Sequence, residues 1–408
     1  MKRAIALLTL ALFLQAALFG TAVQGYTIDS TIPQAGGCPQ PNHWNLSLAT
    51  PLDRQWSTSL PALFAPVILT VAAPGTPAQL DEIEQTISDS FSVWSGVTGT
   101  SFNATAYPGL EAPLVRVSPA NSCTDDAEDN VDGLNTICFN QTSDAFTAGV
   151  LAITRSFTAN APGVSIGASG PAAFVGQILD SDTLFCNDGS VTFATPTALS
   201  TVAGQGAYDL ESVLTHELGN WMGLDNSAEI RAMMFPYAPP PGQFLGARPT
   251  AEVPDGPLSD DDRTGIRVLY PDPNDTTNVG AISGQILPAN PFSLATIPSP
   301  SLGATVTGIV GAHVVALDAD TGAVVAGTLG GWSCNAASPP TQFDGAFDLE
   351  RLPLGRNYNL YAEPLSGLAL PADFSDALGD LCSMDVAPAC ATPAVNSTFN
   401  GRVLPASP

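Results

Sequence analysis

His216-Glu217-Leu218-Gly219-Asn220-Trp221-Met222-Gly223-Leu224-Asp225-Asn226 is the stretch whose reading decides this chain. A His-Glu pair followed by a second His four residues later sets two imidazoles on one helix face, where both reach one metal ion. An extended form of the pattern adds a Gly at the eighth position and a third ligand at the eleventh. His216, Glu217 and Gly223 stand in place, but Asn220 and Asn226 occupy the other two ligand positions. The spacing is that of a metal site. The ligand set is not.

Around this stretch the pattern is helical. A helix is expected from about Ala207 to Met222, with Asp209 and Glu211 in its first turn, where the helix dipole favours acids, and with Gly223 as its terminator. Upstream, Ile83, Ile87, Phe91 and Trp94 recur at helical spacing over 82–96, and apolar strand-like runs lie at 63–72, 113–118 and 148–155. Downstream, Ser259 is a credible cap for a helix that closes near Tyr270-Pro271. Strand, helix, strands, helix, helix reads as an α+β domain over residues 60–273, a twisted sheet with three helices. The turn-rich 274–278 makes a linker.

Beyond it, short alternating runs separated by Gly, Pro and Asp predict an antiparallel β-sandwich over 279–408. These include Gly280-Ala-Ile-Ser-Gly-Gln-Ile-Leu287, Ala312-His-Val-Val-Ala-Leu-Asp318, Gly345-Ala-Phe-Asp-Leu349 and Tyr358-Asn-Leu-Tyr-Ala-Glu363. A Pro/Ser-rich insert at 288–303 reads as a surface loop.

Residues 1–25 read as a signal peptide: Lys2 and Arg3, an apolar run from Ala4 to Gly20 broken by Gln15, then Val23-Gln24-Gly25. That run is short beside the roughly 20 residues of a membrane-spanning helix, so a soluble secreted protein is expected, with 26–59 as an N-terminal segment. Thirty-eight acids against twelve bases leave a net charge of −26, which disfavours nucleic acid and anionic membranes as partners. Seven cysteines in an exported chain suggest disulfides, with Cys123–Cys138 the first expected pair and two of Cys334, Cys382 and Cys390 the next. Asp125, Asp126, Glu128, Asp129 and Asp132 crowd one loop, which reads either as a Ca²⁺ site built of hard oxygen donors or as a solvated charge run.

From Tyr208 to Tyr270 the chain resembles the matrixin branch of the metzincin metalloproteases. Residues 216–227 resemble the family's zinc helix and turn. Met234, in Ala232-Met-Met-Phe-Pro-Tyr237 and eight residues after Asn226, is similar to the Met-turn beneath the metal. Leu258-Ser-Asp-Asp-Asp-Arg-Thr-Gly-Ile-Arg-Val-Leu-Tyr270 resembles the matrixin C-terminal helix. Weaker similarities lie at Trp94 and Asp132-Gly-Leu-Asn-Thr-Ile137. The resemblance implies Zn²⁺ as cofactor, His216 as a retained ligand, Asn220 and Asn226 as degenerate ligand positions, Glu217 as general base, and a protein or peptide as substrate or ligand. Residues 279–408 resemble carboxypeptidase-regulatory-like or prealbumin-like β-sandwiches, chiefly through Gly311-Ala-His-Val-Val-Ala-Leu-Asp-Ala-Asp-Thr-Gly322.

Two functions follow. In an intact site three imidazoles hold zinc, which lowers the pKa of a bound water, and the Glu takes the proton as that water attacks a peptide carbonyl. An amide oxygen is a poor zinc donor. The chain is therefore expected to be a secreted member of the lineage that is non-catalytic or strongly impaired, the alternative being an active zinc endopeptidase. Three His in the whole chain leave no room for a second, structural zinc. His43 and Cys38, in a segment able to fold over the cleft, are expected to be structural, and His313 to be a packing or edge residue of a strand in the second domain.

Overall fold

The computed structural model describes residues 21–22, 27–31, 33–35, 38–47, 54–57, 77–102, 114–117, 133–141, 146, 149–166, 170–186, 191–200, 206–244, 248, 251, 254–275, 278–288, 308–309, 311–331, 333–334, 341–342, 344–365, 374 and 403–404. The acidic loop 125–132, the expected strand 63–72, Cys123, Cys382 and Cys390 lie outside the described residues.

In chain order the main elements are strand β1 (Arg54–Ser57), helix α1 (Pro77–Ser95), β2 (Val115–Val117), β3 (Asn135–Gln141), β4 (Ala152–Thr158), β5 (Ile178–Cys186), α2 (Leu210–Trp221), α3 (Asp260–Leu269), β6 (Val279–Gln285), β7 (Ala312–Asp318), β8 (Val324–Gly330), β9 (Ala346–Pro353) and β10 (Tyr358–Pro364). The fold is mixed α+β with several sheets. The largest is five-stranded in the order β2-β1-β3-β5-β4. β1 pairs in parallel with β2 and β3, and β3 with β5, while β4 runs antiparallel to β5 at the edge.

β5 is buried along its whole length although it carries Asp180-Ser-Asp-Thr183 in its middle. Each of these polar side chains finds a partner. Gly133 N donates to Asp180 Oδ2 at 3.2 Å and Thr136 N to Asp182 Oδ1 at 2.7 Å. The Ser181 and Thr183 hydroxyls meet those of Ser156 and Thr154 on β4 at 2.8 and 3.0 Å. Buried polar groups satisfied in this way impose little penalty. Such a strand lacks apolar alternation, so periodicity misses it.

α1 starts before the expected 82 but buries the expected face, Ile83, Ile87, Phe91 and Trp94. Trp94 Nε1 donates to Thr215 O at 2.8 Å, and Phe91 meets Trp221 edge-on at 5.5 Å, which docks α1 on α2. α3 opens with the expected Ser259 cap, reinforced by a reciprocal bond with Asp262.

In the C-terminal part, β7 lies between β8 and β10, antiparallel to both, and β6 pairs antiparallel with β9. His313 is thus central in its sheet, 3% exposed, and not at an edge. One continuous buried cluster joins Trp221, Met234 and Ile266 to Val314, Val325 and Phe347. Cys334 bonds to Cys38, 296 residues away, which removes Cys334 from the expected C-terminal pairing and leaves for it only Cys382 and Cys390, outside the described residues. Cys138 is disulfide-bonded, while its expected partner Cys123 falls outside the described residues.

Candidate functional site

The site is built on α2. Asp209 caps the helix, its side chain accepting from Ser212 N at 2.7 Å, so it stands one position ahead of the first turn in which it was expected. Arg248 pairs with both Asp209 and Glu211. Burial raises both carboxyls, Glu211 to about 7, against the opposing pull of Arg248.

One turn further on, His216 Nδ1 lies 2.9 Å from Met233 O. A carbonyl can only accept, so Nδ1 carries the proton in the neutral ring and Nε2 keeps the lone pair. Glu217 is 5% exposed. Its Oε2 accepts from Thr154 Oγ1 of β4 at 2.8 Å. Burial pushes this carboxyl above the usual range, and His216, Thr154 and Asn220 draw it partly back.

The floor of the site is the turn at Met233-Met234. A Cβ on Gly219 would run into Met234 Sδ and stand 2.9 Å from Trp94 Cζ2, so the sulfur sits against the bare backbone of α2. Met233 N and Met234 N donate to the two carboxylate oxygens of Asp262 at 2.8 and 3.0 Å, which pins the turn to α3.

After Met222 caps α2, Gly223 turns the chain at φ +101°, where a Cβ would strike the Asn42 carbonyl. Residues 27–31 and 38–45 form a strap across this corner. Ile28 bridges Leu224, Asp225 N donates to Thr27 O at 2.9 Å, and the Thr27 hydroxyl donates to Asn226 O. Trp44 Nε1 donates to Trp221 O at 2.8 Å, and Tyr270 Oη donates to Met222 O at 2.6 Å. His43 stacks on Phe174 at 4.6 Å, with burial lowering its pKa, and serves the strap's packing.

His216, Glu217 and Asn220 therefore gather on one helix face, with Met234 beneath, and Asn226 follows on the turn held by the strap. Thr154, Asp262 and the strap residues Thr27 and Asn42 belong to the same assembly but carry no local motif. Asp262 alone left a trace in sequence, as the third residue after a capping serine. Among the described residues, no three His, Cys, Asp or Glu side chains form a group able to hold a metal ion. One imidazole and two amides do not fit zinc, whose protein sites are built from imidazole, thiolate and carboxylate.

Residues 69–271 match the matrixin family. Metalloendoproteinase 1 of Glycine max is 35% identical over 91 residues, 22% of this chain and 24% of that protein. The chain thus spans about a quarter of the length of the curated relative it matches.

Proposed function

We propose, from the premise that residues 69–271 are a matrixin-family domain, that this protein is a secreted, metallopeptidase-like member of the lineage whose cleft retains protein or peptide binding but has lost or strongly impaired hydrolysis. One observation carries the reading. Glu217, the residue at the general-base position, is 5% exposed with its carboxylate bonded to the Thr154 hydroxyl, while amides stand at 220 and 226 where zinc would need imidazoles. A general base must present a free carboxylate to the water it deprotonates. Here that carboxylate is buried and its Oε2 already accepts from Thr154. Two amides in place of imidazoles should weaken zinc binding by more than the ~10–100-fold that loss of an outer-shell partner produces.

Export is read from the apolar run at 4–20 and agrees with the Cys38–Cys334 disulfide, since such bonds persist in oxidising compartments. Among the described residues no helix is long and apolar enough to cross a membrane. Residues 279–408 we read as a carboxypeptidase-regulatory-like β-sandwich, a reading supported by the antiparallel pairings of β6 to β10. A Ca²⁺ site at Asp125, Asp126, Asp129 and Asp132 stays a proposal from sequence.

The test measures zinc content of the purified protein together with casein or gelatin hydrolysis, with and without added Zn²⁺. Sub-stoichiometric zinc and no chelator-sensitive cleavage are expected. Stoichiometric zinc with chelator-sensitive cleavage abolished by Glu217→Ala would instead establish the active endopeptidase. Asn220→His with Asn226→His should restore tight zinc binding if the rest of the cleft is sound.

A further inference from the structure

The loop that follows Asn226 is held from outside the matrixin match. Asp261, in the first turn of α3, is 1% exposed, and its two carboxylate oxygens face different parts of the molecule. Oδ2 accepts from Ser227 Oγ at 2.6 Å, and Oδ1 accepts from Gly327 N of β8 at 2.6 Å. Ser227 is the residue after the third ligand position. Its N donates to Met234 O at 2.6 Å, and its Oγ accepts from Glu229 N at 3.0 Å. Ser227 therefore ties the site turn to the Met233-Met234 turn, and Asp261 ties Ser227 to the C-terminal sheet. A bare backbone at 327 is needed for this path, because a Cβ there would stand 2.5 Å from His313 Nε2.

We infer that Asp261 is a positioning residue through which the C-terminal sheet sets the loop Asn226–Glu229, so that this sheet is a structural part of the candidate site and not a detachable accessory. The bonds from Ser227 and Gly327 offset in part the burial that raises this carboxyl, and removal of one donor leaves a buried acceptor unsatisfied. The charge-assisted bonds are the strong members of the set, and they run in series from β8 to the loop. A further polar contact between α3 and β8, Thr264 Oγ1 to Val325 O at 3.3 Å, does not lead to the loop. The inference holds whether or not the cleft binds metal.

Hydrogen–deuterium exchange of the full chain tests it. Gly327→Pro combined with His313→Ala removes the sheet-side donor and makes room for the ring, with His313→Ala alone as reference. Amides 226–229 are expected to exchange about tenfold faster or more in the double variant, the scale of one lost charge-assisted bond. Thr264→Val should leave them unchanged. Asp261→Asn, which keeps an acceptor for Gly327 N and offers a donor to Ser227 Oγ, should retain most of the protection that Asp261→Leu loses. Unchanged exchange at 226–229 in the double variant overturns the inference. So does an equal rise in Thr264→Val, which would mean a general loosening of the interface. Should Asp261→Leu fail to fold, the double variant and Asp261→Asn still decide.

Discussion

A single methyl group separates the glycine at 219 from a side chain the site would not tolerate. The sulfur of Met234 and the ring of Trp94 already fill the space above that backbone, and both residues are almost wholly buried. Gly219→Ala should destabilise the protein by about 1–3 kcal/mol, the range for overpacking a tight interior, read from denaturant midpoints. Glycine is a poor helix former, so in the absence of the contact the same change would stabilise. A rise in midpoint would show that Met234 does not sit where described. At this scale His216, Glu217, Gly223 and Met234 are legible in the sequence, because their spacing is local and their chemistry specific. The bond between Thr154 and Glu217 is not, since the two lie 63 residues apart and only packing brings them together.

Among the elements, the strap of residues 27–31 and 38–45 is read in sequence only as a segment able to fold over the cleft. It has neither period, and its bonds go to residues far along the chain. Trp44 holds it most firmly, buried against Trp221 with ring centroids 4.7 Å apart and its indole N–H on a helix-end carbonyl. Trp44→Ala should lose about 3–5 kcal/mol, the cost of truncating a buried aromatic. Limited proteolysis of that variant should show faster cleavage near Gly223–Asn226 than in wild type. Equal cleavage rates would mean that the strap only decorates the corner. Helices α1, α2 and α3 are legible from period and caps, with their ends displaced by a few residues. β5 is not, because its central acids are neutral to periodicity and tolerable only with partners from β3, β4 and the loop before β3.

For the molecule as a whole, the dominant fact is acidity, with a net charge of −26 and several carboxyls taken out of water. Burial raises Glu211, Glu229 and Asp261 each to about 7, and Asp348 to about 6. Glu363 and Asp262 add to the rise at Glu229. The folded state thus binds protons over roughly pH 5 to 7 that the unfolded chain releases, so stability is greatest below the unfolded carboxyl range and falls as pH rises through about 7. Mutual repulsion of the acidic surface acts in the same sense. Thermal midpoints should therefore be higher near about pH 5.5 than near about pH 8, and Glu229→Gln should flatten that slope by raising the midpoint mainly at the alkaline end. A midpoint that climbs with pH contradicts the assignment.

The sequence by itself determined the helix pattern around His216, the methionine pair at 233–234, the closing helix and the absence of imidazoles at 220 and 226, because these reside in short spacings and residue chemistry. The tertiary structure alone decided that Thr154 reaches Glu217, that residues 27–31 and 38–45 lie across the corner at Gly223, that Cys38 bonds to Cys334, and that Asp261 reaches the C-terminal sheet. Those are contacts between residues tens to hundreds of positions apart. No local period encodes them, and only the burial of one continuous core brings the partners within hydrogen-bond reach.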